Sequence, residues 1–144
     1  MATDRHAEVT WRGSLLDGSG MIESVGSGAF GPLEVTWASR AEQPEGRTSP
    51  EELIAAAHAA CFSMALSHGL SEAGSPPERL DTGAVVTFEP GVGITRIALT
   101  VRGIVPGLDA GAFGQAAETA KESCPVSTAL AGVGDVSVQA SLEG

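Results

Sequence analysis

Two cysteines are the only thiols in this chain of 144 residues, and each stands where its surroundings bear on its chemistry. Cys61 lies inside the apolar run Leu53-Ile54-Ala55-Ala56-Ala57-His58-Ala59-Ala60-Cys61-Phe62, a setting in which a thiol is ordinarily inert packing. Cys124 precedes Pro125, which places it at the N-cap of a following helix, where unpaired N–H groups and the positive end of the dipole favour a thiolate. The two are 63 residues apart, so they meet only if the fold brings their helices together. Such a meeting reads as an attacking and a resolving thiol; simple burial is the plain alternative. Two thiols do not complete a structural zinc site, and His6, His58 and His68 have no metal-ligand spacing with them.

The elements that must position these residues follow from glycine and proline punctuation. Glu8 to Trp11, Gly20 to Val25 and Leu33 to Trp37 alternate as half-buried strands, with turns at Gly26-Ser27-Gly28 and Gly31-Pro32, which predicts an antiparallel meander. A polar linker from Ala41 to Thr48 comes next. Ser49-Pro50-Glu51-Glu52 is a helix start: serine caps, proline takes the first helical position and Glu52 can close a capping box. The helix is expected to run to about Ser67 and stop at His68 and Gly69. It is apolar on nearly every side, so neighbours must cover it all round, and its five alanines between Leu53 and Phe62 let another backbone come close. Strands at Ala84 to Phe88 and Ile94 to Val105 form a second hairpin, with a bulge or bend near Thr95 where the alternation changes phase. Asp109 caps a helix from Ala110 to about Ser123. A shorter helix follows Pro125 and stops at Gly132 or Gly134, and Val136 to Ala140 closes the chain as a strand.

Eight Lys and Arg against eighteen Asp and Glu give a net charge of −10, a field that repels phosphate backbones and anionic headgroups. Nucleic acid is therefore excluded as a partner, and the acidity reads as solubility. The most apolar stretch, Leu53 to Leu66, is interrupted by His58 and Ser63 and falls short of the ~20 residues that cross a bilayer, so no membrane is expected. The N-terminus has no apolar core for a secretion signal, which points to the cytoplasm. Size and composition fit one domain spanning residues 1–144.

Ser49 to Leu66, with its His58-Ala59-Ala60-Cys61 centre, closely resembles the first-cysteine signature of the OsmC/Ohr superfamily (osmotically inducible protein C and organic hydroperoxide resistance protein). Cys124-Pro125-Val126-Ser127 resembles the second signature, and the strand–helix order agrees over almost the whole chain. The histidine version of the first motif is more like the OsmC branch. The resemblance implies an α+β fold of order β-β-β-α-β-β-α-α-β, an intertwined homodimer with central helices packed against antiparallel β-sheets, and a thiol-dependent peroxidase acting on organic hydroperoxides in oxidative or osmotic stress. Cys61 would attack the O–O bond and become a sulfenic acid, Cys124 would condense with it to a disulfide, and a dithiol, lipoyl-type by analogy, would reduce that bond. No cofactor or metal enters this chemistry.

A thiolate in an apolar helix needs a cation within a few Å. Arg40 matches the OsmC-type position and is preferred to Arg12 and Arg47, while Glu51 matches the carboxylate that orients it. Glu51 also complements the helix dipole. Ten positions on one helix put Glu51 and Cys61 about 15 Å apart, so they share a site only if a second copy of the helix runs antiparallel across the first, with the dyad near Ala56. For His58, one turn before Cys61, a buried, hydrogen-bonded imidazole is favoured over a general base. Phe62, Met64, Leu66 and Phe113 read as core. A redox sensor or small hydrophobe-binding dimer with a reversible Cys61–Cys124 disulfide is the rival to the enzyme.

Overall fold

Strand and helix alternate in the order β-β-β-α-α-β-β-α-α-β, one helix more than the resemblance implies. A computed structural model describes residues 1–143, so the last residue of the expected 1–144 domain lies outside the described residues. The chain divides into two compact units, Met1–Leu53 and Ile54–Gly144.

In the first unit β1 (Ala7–Arg12), β2 (Ser19–Val25) and β3 (Leu33–Val35) form the expected antiparallel meander. The half-burial read from its alternation does not hold for β1, which is exposed at every residue, Val9 and Trp11 included. Ile22 is the buried hydrophobic residue of this unit. The third strand also stops two residues short of Trp37. Thr36 caps a short helix α1 (Trp37–Ala41) instead: its hydroxyl accepts from the Ser39 amide at 3.0 Å, and the Ser39 hydroxyl accepts from the Thr36 amide at 2.9 Å. This reciprocal box satisfies two donors at once and outcompetes one more turn of strand.

The second unit holds most of α2 (Pro50–Glu72), the hairpin β4 (Arg79–Glu89) and β5 (Gly93–Ile104), α3 (Ala110–Ser123), α4 (Pro125–Ala129) and β6 (Val136–Leu142). Ser49 caps α2 through the Glu52 amide, but the Glu52 carboxylate does not close the capping box; it takes the Thr48 hydroxyl at 2.8 Å. The helix passes straight through Gly69 and ends five residues beyond Ser67, because Leu70 is buried in the core and its packing outweighs the glycine's helix cost of about 1 kcal/mol. Gly74, at φ +89, ends the turn that follows.

Thr87 pairs with Arg96 and Phe88 with Ile94, so Thr95 is the extra residue of a bulge, as the change of phase predicts. The closing strand β6 pairs parallel to β5, which makes this sheet mixed rather than wholly antiparallel. The connection through α3 and α4 is the kind of crossover that parallel pairing needs. Phe62, Leu66 and Leu70 from α2, Ile97, Leu99 and Val101 from β5, and Phe113, Ala117 and Ala120 from α3 form the core, joined by Cys124. Met64, expected among them, is 72% exposed. A Cβ on Gly103 would lie 2.7 Å from the Phe113 ring, which is fully buried, and 3.1 Å from the end of the Leu80 side chain. Gly103→Ala should therefore destabilise by about 1–3 kcal/mol, read as a lower urea midpoint at unchanged m.

At 23 residues, with a mean hydropathy of 1.4 over its most apolar window, α2 is long and apolar enough to cross a membrane, contrary to the expectation drawn from Leu53 to Leu66 alone. Only 22% of that window is buried within the chain, so the expected all-round cover is also missing. His58, Phe62, Leu66 and Leu70 make its buried face; Ala56, Ala57, Ala60 and Met64 are exposed.

Candidate active site

The four residues expected to carry the chemistry fall into two pairs, one in each unit. In the first unit, Arg40 stands in the last turn of α1 and Glu51 in the first turn of α2. Arg40 Nε lies 3.0 and 3.1 Å from the two Glu51 oxygens and Nη2 lies 2.8 Å from Oε2, a fork-on-fork pair that fixes the guanidinium plane. Glu51 is 6% exposed, which is rare for a carboxylate unless it is paired. The polypeptide around the pair is clamped: the Ser39 hydroxyl lies 2.9 Å from the Thr48 carbonyl, the Thr48 amide donates to Glu34, and the Thr48 hydroxyl donates to Glu52. Of the rival arginines, Arg47 lies 3.1 Å from Glu34, and Arg12 is on the exposed strand β1.

In the second unit, Cys61 on α2 and Cys124 at the N-cap of α4 come together with their thiols free and each bearing on the other's ionisation. The cap position read from Cys124-Pro125 is met, with Pro125 opening the helix. Cys124 is wholly buried, whereas Cys61 is half-buried. Burial pushes Cys61 up, and the hydrogen bond to Cys124 and the charge there push it further, against one backbone hydrogen bond from Val126. Burial also pushes Cys124 up, but the polar groups facing its sulfur, Cys61, the Ser127 amide and hydroxyl and the Val126 amide, outweigh it and bring Cys124 below the ordinary thiol range. Within this unit the surroundings favour the thiolate on Cys124 and disfavour it on Cys61.

His58 is fully buried, with Nε2 2.7 Å from the Ser127 hydroxyl, so the imidazole is hydrogen-bonded as expected. Burial holds it below its ordinary pKa, and hence neutral at pH 7. Two contributions escaped the sequence reading. The clamp of Thr36, Ser39 and Thr48 was hidden by reading Thr36 and Trp37 as strand, although a hydroxyl residue three before Ser39 is a legible cap signal. Ser127 was hidden because its role depends on a contact 69 residues away in sequence; a hydroxyl three residues past an N-cap thiol was the available clue.

The model of the family described as OsmC-like protein matches residues 43–139. The peroxiredoxin OsmC of Escherichia coli K12 is 43% identical over 133 residues, covering 90% of this chain and 92% of that protein. Among solved structures, the organic hydroperoxide resistance protein OhrB of Bacillus subtilis superposes with a TM-score of 0.64 at 27% identity, over 96% of this chain and 98% of that one. A putative organic hydroperoxide resistance protein of Vibrio cholerae, with captopril bound in one of its active sites, gives 0.68 at 26% identity, over 100% and 95%. The chain belongs to the OsmC family.

Proposed function

We propose that this chain is a cysteine-based peroxidase that reduces organic hydroperoxides to alcohols, and that the pairing of Cys61 with Cys124 is the observation that carries the chemistry. Exposure supports these roles: a peroxide reaches the half-buried Cys61 more readily than the wholly buried Cys124. The Cys61 thiolate attacks the outer peroxide oxygen, the O–O bond breaks, and the alkoxide takes a proton and leaves as the alcohol, with Cys61 now a sulfenic acid. Cys124 displaces hydroxide from that sulfur to give the disulfide. A dithiol then exchanges with it, returning both thiols and becoming a disulfide itself.

The attack needs Cys61 ionised, whereas its own unit keeps it protonated. The missing charge is supplied by Arg40, oriented by Glu51, from a second copy of the chain. Support comes from α2, whose exposed Ala56, Ala57 and Ala60, next to Met64, form an apolar face with small residues at its centre, suited to a close crossing. An antiparallel crossing near Ala56 brings each Glu51 towards the other copy's Cys61 and covers the apolar helix without a membrane. The similarity to a peroxiredoxin and to organic hydroperoxide resistance proteins supports the substrate class. Two free thiols suit a reducing cytoplasm.

Steady-state consumption of an organic hydroperoxide with excess dithiol tests this reading. Many equivalents per chain are expected; consumption that stops at one equivalent would make the pair a redox sensor instead.

A further inference from the structure

His58 sits fully buried against Ser127, whose hydroxyl bears on Cys124. Its Nε2 is 2.7 Å from Ser127 Oγ, and its Nδ1 is buried with no hydrogen-bond partner among the described residues. Ser127 stands three residues past Cys124 in the first turn of α4, and its hydroxyl favours the Cys124 thiolate; a hydroxyl has a single proton, and one turned to that sulfur leaves Oγ only as an acceptor. Oγ must then accept from His58, which fixes the neutral tautomer with the proton on Nε2 and leaves Nδ1 a bare acceptor. The three groups form one directed chain: imidazole N–H to hydroxyl oxygen, hydroxyl proton to sulfur. Burial makes each link stronger than it would be in water, and keeps the imidazole from rotating to another partner.

We propose that His58 is a positioning residue for the second half of the cycle, holding the Ser127 hydroxyl so that it donates to Cys124 and keeps that sulfur ready to attack the Cys61 sulfenic acid. In that step an electron pair from Cys124 Sγ forms the S–S bond, and the Cys61 S–O bond breaks. Hydroxide leaves and combines with the proton that the Cys124 thiol gave up, so the product is water; the Cys61 sulfur is reduced and the Cys124 sulfur oxidised. His58 gives up no proton. The orphaned Nδ1 is the cost of the arrangement, since an imidazole kept only for packing is more cheaply replaced by an apolar residue. The inference rests on the peroxidase reading, but it concerns disulfide closure and not peroxide attack.

The test follows the two steps separately after a stoichiometric pulse of organic hydroperoxide. In His58→Leu and Ser127→Ala, loss of the peroxide and appearance of the sulfenic acid should be no slower than in the wild type, since a less acidic Cys124 raises Cys61 less, while disulfide formation slows by about tenfold, the worth of one hydrogen bond to a charged group. His58→Gln, which keeps an N–H donor, should recover most of the lost rate. In a Cys61→Ser background, the ultraviolet signal of the Cys124 thiolate should titrate at higher pH in the first two variants and return towards the parent in the third. A side chain with only a structural role would slow both steps together and would not be rescued by the amide. Should His58→Leu fail to fold, Ser127→Ala on α4 carries the same comparison. Disulfide closure at the wild-type rate with an unmoved titration in Ser127→Ala overturns the proposal. A wild-type protein that fails to turn over hydroperoxide overturns the peroxidase reading instead.

Discussion

Cys61→Ser should abolish hydroperoxide reduction, whereas Cys124→Ser should consume one equivalent per chain and then stall at the sulfenic acid or oxidise beyond it. The asymmetry follows from access and order. Only Cys61 is open enough to meet a peroxide, and only after it is oxidised does Cys124 have an electrophilic sulfur to attack. Counting hydroperoxide consumed, with the sulfur state read by mass, distinguishes the two variants; full turnover by Cys61→Ser would end the assignment. The pair also fixes a pH effect. Burial raises Cys61 first, and Cys124 and its charge raise it further, so removing Cys124 leaves burial opposed by the Val126 amide. In Cys124→Ala the thiolate of Cys61 therefore forms at lower pH than in the parent. The single oxidation of that variant should begin to accelerate at lower pH; an unmoved profile would mean that Cys124 does not act on Cys61 before the peroxide arrives.

Arg40→Ala should slow peroxide attack at neutral pH by about ten- to a thousandfold, since an opposite charge close to an acid shifts its pKa by roughly 1–3 units. Removing the arginine alone strands the buried Glu51, so Arg40→Ala is compared with Arg40→Ala/Glu51→Ala, which leaves no unpaired carboxylate. Equal slowness in the two, with folding intact by circular dichroism, assigns the effect to the lost cation. Arg40→Lys keeps a charge but loses the two-pronged grip on Glu51, and should recover only part of the rate. Wild-type reactivity in Arg40→Ala would move the role to Arg12 or Arg47.

The two cysteines, the cap at Asp109, the bulge at Thr95 and the start of α2 were legible because each is written in local residue chemistry. Asp109 Oδ1 takes the Ala112 amide at 2.8 Å, as an N-cap aspartate three before it should. What was not legible depended on distant partners. Leu70 carries α2 past Gly69 because the core receives it, and no local signal at Gly69 records that. The parallel pairing of β6 is set by where α3 and α4 deliver the chain, which strand composition does not encode. Alternation in β1 correctly gave a strand but not its burial, because a period of two says that one face is apolar and not that anything covers it within the same chain. The same limit applies to α2: the sequence demanded cover all round, and one chain provides it on one side only.

That uncovered face leads to the claim on which the whole account depends, that each working site takes Cys61 and Cys124 from one chain and Arg40 and Glu51 from another. Heterodimers of a Glu51→Ala chain with a Cys61→Ser chain test it most directly, prepared by co-refolding and verified by mass. Either homodimer alone should be poorly active. An antiparallel crossing gives the heterodimer one site with both residues intact and one with neither, so activity should return to about half of the wild-type value per dimer. No recovery in verified heterodimers, with Glu51→Ala impaired by itself, would contradict the shared site and leave Glu51 acting within its own chain.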